Sequence, residues 1–164
     1  LANKIGIPFR RINKLDDIKD KLEVCLVAGA GILPKEFVKK IVTINCHPGL
    51  IPSVRGLDAF KWAILDKKPL GITLHIIDKK IDSGKHLKSV RTSISKDDTI
   101  EQLAKKHYKL EIDLLANFRE HLESPEKEMS NLTRDKPRMR MPVNLEKSML
   151  HGFEDYIKTF WNKE

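Results

Sequence analysis

The sequence predicts an α/β domain with a mainly parallel sheet, and three observations carry that expectation. Short apolar runs alternate with amphipathic, helix-spaced stretches along the chain, the pattern of strands joined by helical crossovers. Several of these runs stop at glycine or proline, as buried strands of a parallel sheet do. The chain has 164 residues, 40% of them hydrophobic, which is enough for one domain with a real core and argues against general disorder.

The elements follow in order. "GIPFRRI" (6–12) reads as a short strand and "DDIKDKL" (16–22) as a polar helical turn. "EVCLVAGA" (23–30) is an apolar run closed by glycines, a buried strand. "LPKEFVKK" (33–40) is a short helix with Pro34 in its first turn. "IVTINCH" (41–47) is a strand that Pro48 stops. "GLDAFKWAILDKK" (56–68) places Leu57, Phe60, Ala63 and Ile64 at helical spacing. "ITLHII" (72–77) is a strand, and "HLKSVRTSI" (86–94) is a more exposed one. The clearest helix covers 97–122, with Asp98 and Glu101 at capping-box spacing. Residues 124–142 are polar and proline-bearing, an extended loop. The tail forms a short helix whose Phe153, Tyr156, Ile157, Phe160 and Trp161 dock on the body. The boundaries expected are therefore 1–123 for the main domain and 124–164 for a loop and helix packed on it.

Composition narrows the function classes. No apolar run approaches the roughly 20 residues that cross a bilayer, and no secretory signal is visible. Cys25 and Cys46 sit in strand-like surroundings and read as reduced core thiols, which suits a cytoplasmic location. No Cys/His spacing suits zinc, so no metal site is expected. The formal net charge of +8 attracts anions such as phosphates and nucleotides. The late basic stretch "TRDKPRMRMP" lacks aromatic platforms for bases, so nucleic acid is not the expected partner, and Arg134, Arg138 and Arg140 read as a solvated charge run.

Ligands of such sheets bind at strand tips, and three loops there carry unusual polar residues. Asn45 and His47 stand two apart, so their side chains share one face. Asp82 lies on another loop, in "DKKIDSG", and meets them if the two strands are neighbours. An amide N–H can donate to an oxygen that gains negative charge. An imidazole can donate to the same oxygen or move a proton at neutral pH, and a carboxylate beside it favours its protonated form. The set fits acyl-type transfer through an oxyanionic intermediate without a covalent enzyme adduct. Alternation turns Cys46 away from the pair, which removes it as a nucleophile.

At these residues the chain resembles the 10-formyltetrahydrofolate-dependent formyltransferase family, through "NCHPGLIP", "GITLH" and "DSG" in that order. The resemblance extends from about residue 23 to 122. It implies a Rossmann-like formyltransferase fold whose amino-terminal strands are missing from this chain, which begins at Leu1. It implies that Asn45 and His47 hold the formyl oxygen and that Asp82 polarises His47 and helps pass a proton. Gly31, Ile32 and Leu33 would line the pterin pocket, and the backbone of Ile77, Asp78 and Ile81 would read the pterin's polar edge. His75 would support the loop from the core. The co-substrate would be 10-formyltetrahydrofolate. The acceptor would be a small phosphorylated amine, either a nucleotide-linked amino sugar or glycinamide ribonucleotide, with Arg55 as a phosphate contact. A homodimer stays open. Gly49 stands where the family usually has serine. Delivery of formyl to water and a non-catalytic folate- or nucleotide-binding remnant are the alternatives.

Overall fold

The computed structural model describes residues 2–11, 18, 21–29, 33–78, 84–129 and 132–161. Four strands, β1 (Val24–Val27), β2 (Val42–His47), β3 (Gly71–Ile76) and β4 (His86–Arg91), form one sheet in the order β1-β2-β3-β4. Among the described residues six α-helices accompany them: α1 (Lys35–Lys40), α2 (Ala59–Leu65), α3 (Ile100–Ala116), α4 (Phe118–Glu123), α5 (Val143–His151) and α6 (Phe153–Phe160).

The α/β layering matches the expectation, but the strand directions do not. Only β1 and β2 run parallel; β2 with β3 and β3 with β4 are antiparallel. The reason is legible in the burial of β3, where Gly71 to His75 are all buried. A strand covered on both faces gives a continuous apolar run whichever way it points. The α2 connection between β2 and β3 also imitates the helix of a parallel crossover.

Among the described residues of 6–12 no strand forms: Ala2–Ile5 make a 3-10 turn and residues 7–11 have no regular structure. The helical turn expected over 16–22 falls mostly outside the described residues. The expected long helix breaks at Asn117 into α3 and α4, and the single tail helix is two, α5 and α6, meeting at Gly152. The capping box of α3 lies one residue beyond the expected pair. Thr99 Oγ1 accepts from Gln102 N at 3.2 Å, and Gln102 Oε1 accepts from Thr99 N at 2.9 Å. Asp98 instead accepts from Ser95 N and pairs with Lys106.

Two apolar clusters hold the chain together. In the first, Trp62, Ala63 and Ile64 of α2 pack with Leu103, Met149, Tyr156 and Ile157, so α5 and α6 lie against α2. In the second, Ile44, Cys46, Ile72, Leu74 and Leu87 of the sheet meet Leu114. Helix α3 contributes Leu103 to one and Leu114 to the other, so it ties both layers together. Each fully buried Leu or Ile contributes about 1.5–3 kcal/mol relative to exposure. No described helix is long and apolar enough to cross a membrane.

Candidate functional site

Alternation sorts the sheet into an apolar face and a polar one. Ile44 and Cys46 belong to the cluster under α3. Asn45 and His47 therefore point to the opposite face. Their cross-strand partners are His75 and Thr73, whose own partners on β4 are His86 and Ser89. Paired residues share a face, so six polar side chains form two rows across three strands. All but Asn45 are buried, and Asn45 is half-buried.

Hydrogen bonds fix this polar face. Asn45 Nδ2 donates to His75 Nε2 at 3.3 Å, which leaves the amide a second N–H for another acceptor. His75 thus acts as a core support for Asn45. The loop after β2 folds back over the rows: Thr73 Oγ1 donates to Gly49 O at 2.9 Å and accepts from Ile51 N at 3.1 Å. Ser89 Oγ lies 3.0 Å from Thr73 Oγ1 and 2.9 Å from His86 Nε2.

His47 is 4% exposed, and its Nε2 is 3.0 Å from the Val54 carbonyl. A carbonyl only accepts, so Nε2 carries the hydrogen. This contact needs Gly49. A Cβ there would fall 2.7 Å from Val54 O and 2.9 Å from His47 Nε2, closer than real contacts permit. Cys46 is not a nucleophile in this state: burial first, then the Glu111 carboxyl, pushes its thiol well above the ordinary range.

The Val54 turn is itself braced by the carboxyl-terminal segment. Asp135 N donates to Pro52 O, Arg138 N to Arg55 O and Lys68 Nζ to Ser53 O, at 2.9–3.1 Å. Lys68 also pairs with Asp135. The arginine run is thus only partly solvated. Arg138 lies 4.4 Å over the Trp62 ring and pairs with Asp66 at 2.8 Å. Arg55 is buried, and its Nη1 donates to Asp135 O at 3.1 Å.

The other expected site residues divide in two. Gly31, Ile32, Ile81 and Asp82 lie outside the described residues. Leu33 is half-buried just ahead of α1, on the loop leaving β1, whose last residue pairs with Asn45. Ile77 N already donates to Thr43 O at 2.8 Å, so that amide is engaged with β2; Asp78 is exposed. Because β3 is antiparallel, its carboxyl tip lies beside Thr43 rather than beside His47. Four residues of strand, about 13 Å, separate these points. Gly84 lies against the end of β3, where a Cβ would collide with the Ile76 carbonyl.

Sequence reasoning missed His107 and Thr92, which are both buried and lie behind the same loop. The signal was a histidine within the apolar stripe Leu103, Leu110, Leu114 of the long helix.

Comparison with known proteins adds a family. A family model described as "Formyl transferase" matches residues 11–118. Methionyl-tRNA formyltransferase of Thermodesulfovibrio yellowstonii is 36% identical over 98 residues, covering 58% of this chain and 32% of that protein. This chain spans about a third of the length of the curated relatives of that kind it matches. The solved phosphoribosylglycinamide formyltransferase of Bacillus halodurans is 28% identical, with a TM-score of 0.52, over 60% of this chain and 54% of that one. The formyltransferase PseJ of Anoxybacillus kamchatkensis, solved with UDP-4,6-dideoxy-4-formamido-L-AltNAc and tetrahydrofolate, shares the fold. Its TM-score is 0.66 at 16% identity, over 88% of this chain and 85% of that one.

Proposed function

The chain belongs to the formyl transferase family, and from that premise we propose that it moves a formyl group from 10-formyltetrahydrofolate to the primary amine of a small phosphorylated acceptor. The acceptor class is a nucleotide-linked amino sugar or glycinamide ribonucleotide. The observation that carries the reading is the pair on β2: a half-buried amide with an N–H to offer, two residues from a buried imidazole whose Nε2–H is fixed on Val54 O.

In this reaction the acceptor amine attacks the formyl carbon, and the formyl oxygen becomes an oxyanion. Asn45 donates its second amide N–H to that oxygen, and protonated His47 donates to it as well. Collapse of the intermediate breaks the bond from carbon to the folate N10. The proton lost by the amine passes to N10, and Asp82 is proposed to favour the imidazolium by its negative charge and to aid that transfer. Gly84, two residues after Asp82 in sequence, lies against the end of β3. Gly31, Ile32 and Leu33, with the backbone of Ile77, Asp78 and Ile81, form the proposed folate pocket. The Ile77 contribution there is its carbonyl, since its amide pairs with β2. Arg55 is the proposed phosphate contact. The proposed compartment is the cytoplasm.

The test is a screen of amine acceptors with 10-formyltetrahydrofolate, using the natural polypeptide that carries this chain. Tetrahydrofolate release is followed by absorbance and the formylated product by mass. Acceptor-dependent product supports the reading. Tetrahydrofolate released equally without acceptor would replace transfer by hydrolysis, and no turnover with any acceptor would overturn both.

A further inference from the structure

A second histidine reaches the Asn45–His47 loop from behind. His107 lies on the inward stripe of α3, between Leu103 of one apolar cluster and Leu114 of the other, and is 4% exposed. Its Nε2 is 3.3 Å from the Pro48 carbonyl and its Nδ1 is 2.7 Å from Thr92 Oγ1. The carbonyl fixes the tautomer: Nε2 carries the hydrogen, and Nδ1 accepts the Thr92 hydroxyl. Thr92 is held in turn by its own amide, which donates to Leu70 O at 3.0 Å. The Phe60 ring sits 5.2 Å away, tilted by 56°.

An apolar side chain would fill this place between two apolar clusters without burying polar atoms. The chain instead carries an imidazole aimed at the Pro48 carbonyl, in the peptide that joins Pro48 to Gly49. Burial keeps the ring neutral, with nearby His47 acting in the same direction, so it serves as a fixed donor.

We propose that His107 is a positioning residue for His47: its Nε2–H fixes the Pro48 peptide, and so the angle at which the His47 ring stands between Val54 O and the reacting centre. This rests on the formyl-transfer reading above. A histidine that only stabilises the core would have the same burial and the same bonds, so the test needs readouts that stability alone does not move.

The natural polypeptide is compared with His107→Leu, His107→Gln, His107→Asn and Leu103→Ala. Glutamine reaches Pro48 O with an amide N–H. Asparagine keeps the Thr92 contact but is too short for Pro48. Leu103→Ala damages the same helix in the same buried stripe, in the cluster that also holds Val54, and leaves the His107 imidazole in place. Melting temperature, kcat, KM for both substrates, and proton–nitrogen spectra of the histidine rings are recorded. His107→Leu and His107→Asn are expected to lower kcat about 10- to 100-fold with KM within about twofold, the scale of a small misplacement at a reacting centre. They should also shift the His47 ring signals. His107→Gln should recover most of kcat. Leu103→Ala should lose stability while kcat and the His47 signals hold.

Equal loss of kcat in Leu103→Ala, or unchanged kcat and His47 signals in His107→Asn, would overturn the proposal. If His107→Leu does not fold, the glutamine and asparagine pair decides. If the unsubstituted protein transfers no formyl group, that failure belongs to the proposed reaction. The ring spectra then decide alone, and His47 signals unmoved by His107→Asn overturn the positioning role.

Discussion

Replacing Gly49 by alanine tests the local geometry most directly, because the added methyl meets a braced carbonyl and the buried His47 ring at once. Its carbon would stand 2.7 Å from Val54 O, 2.9 Å from His47 Nε2 and 3.0 Å from Val54 Cγ1. Ordinary contact begins near 3.4 Å, so something must yield by about 0.5–0.7 Å, a strain of the kind that costs about 1–3 kcal/mol in a packed site. The Val54 carbonyl is braced from the other side, since Asp135, Arg138 and Lys68 hold the flanking Pro52, Arg55 and Ser53 carbonyls. The ring is then the group that moves, and it loses its bond to Val54 O, adding about 1–3 kcal/mol for a buried donor left unmatched. A total of roughly 2–6 kcal/mol, at about 2–4 °C per kcal/mol for a domain of this size, lowers Tm by about 5–25 °C. The assay is thermal melting followed by circular dichroism, with Gly152→Ala as the control, where the nearest atom to an added Cβ is 3.5 Å away. Gly49→Ser, the family's usual residue, adds the same carbon and carries the same expectation. A Gly49→Ala protein that melts within about 1 °C of the unsubstituted chain would refute the claim that His47 is held through this close approach.

The other predictions can be stated briefly. His47→Ala and Asp82→Asn should each lower kcat by orders of magnitude with folate affinity little changed; near-full turnover in either removes the role proposed for it. Burial holds His107 to a pKa of about 4 against an ordinary 6.5, so between those values the unfolded chain binds a proton that the native state refuses. The His107 contribution to unfolding free energy should therefore fall as pH drops from 6.5 towards 4, by about 3 kcal/mol in all, and change no further below. Urea titrations of the unsubstituted chain and His107→Gln should converge across that window, and parallel curves would contradict it. A thiol reagent at pH 7.5 should modify half-buried Cys25 first and Cys46 only on unfolding, because burial raises both thiols and Cys46 the more; native-state labelling of Cys46 would contradict this.

What could be read from the sequence followed from side-chain type and period. The β1, β2 and β3 runs, α2 and the stripe of α3 all stand close to where the apolar pattern put them. Asn45 and His47 share a face because they are two apart on a strand. The direction of β3 was not legible, because a strand buried on both faces gives the same apolar run either way. Nor was the bracing by residues 132–141. A polar, proline-bearing stretch looks solvated, and only folding brings Arg138 to Trp62 and Asp66, and Asp135 to Lys68. The deeper omission concerns the acceptors that shape the site. His47 leans on Val54 O, Thr73 on Gly49 O and His107 on Pro48 O. Every residue has a carbonyl, so none of these three leaves a mark in the sequence, whereas each donor does. A strand-tip histidine and a core threonine or histidine are half of a bond whose other half is anonymous. A polar side chain inside an apolar stripe, such as His107, is therefore a sequence-level pointer to a peptide carbonyl that needs holding, and at this site that peptide lies next to His47.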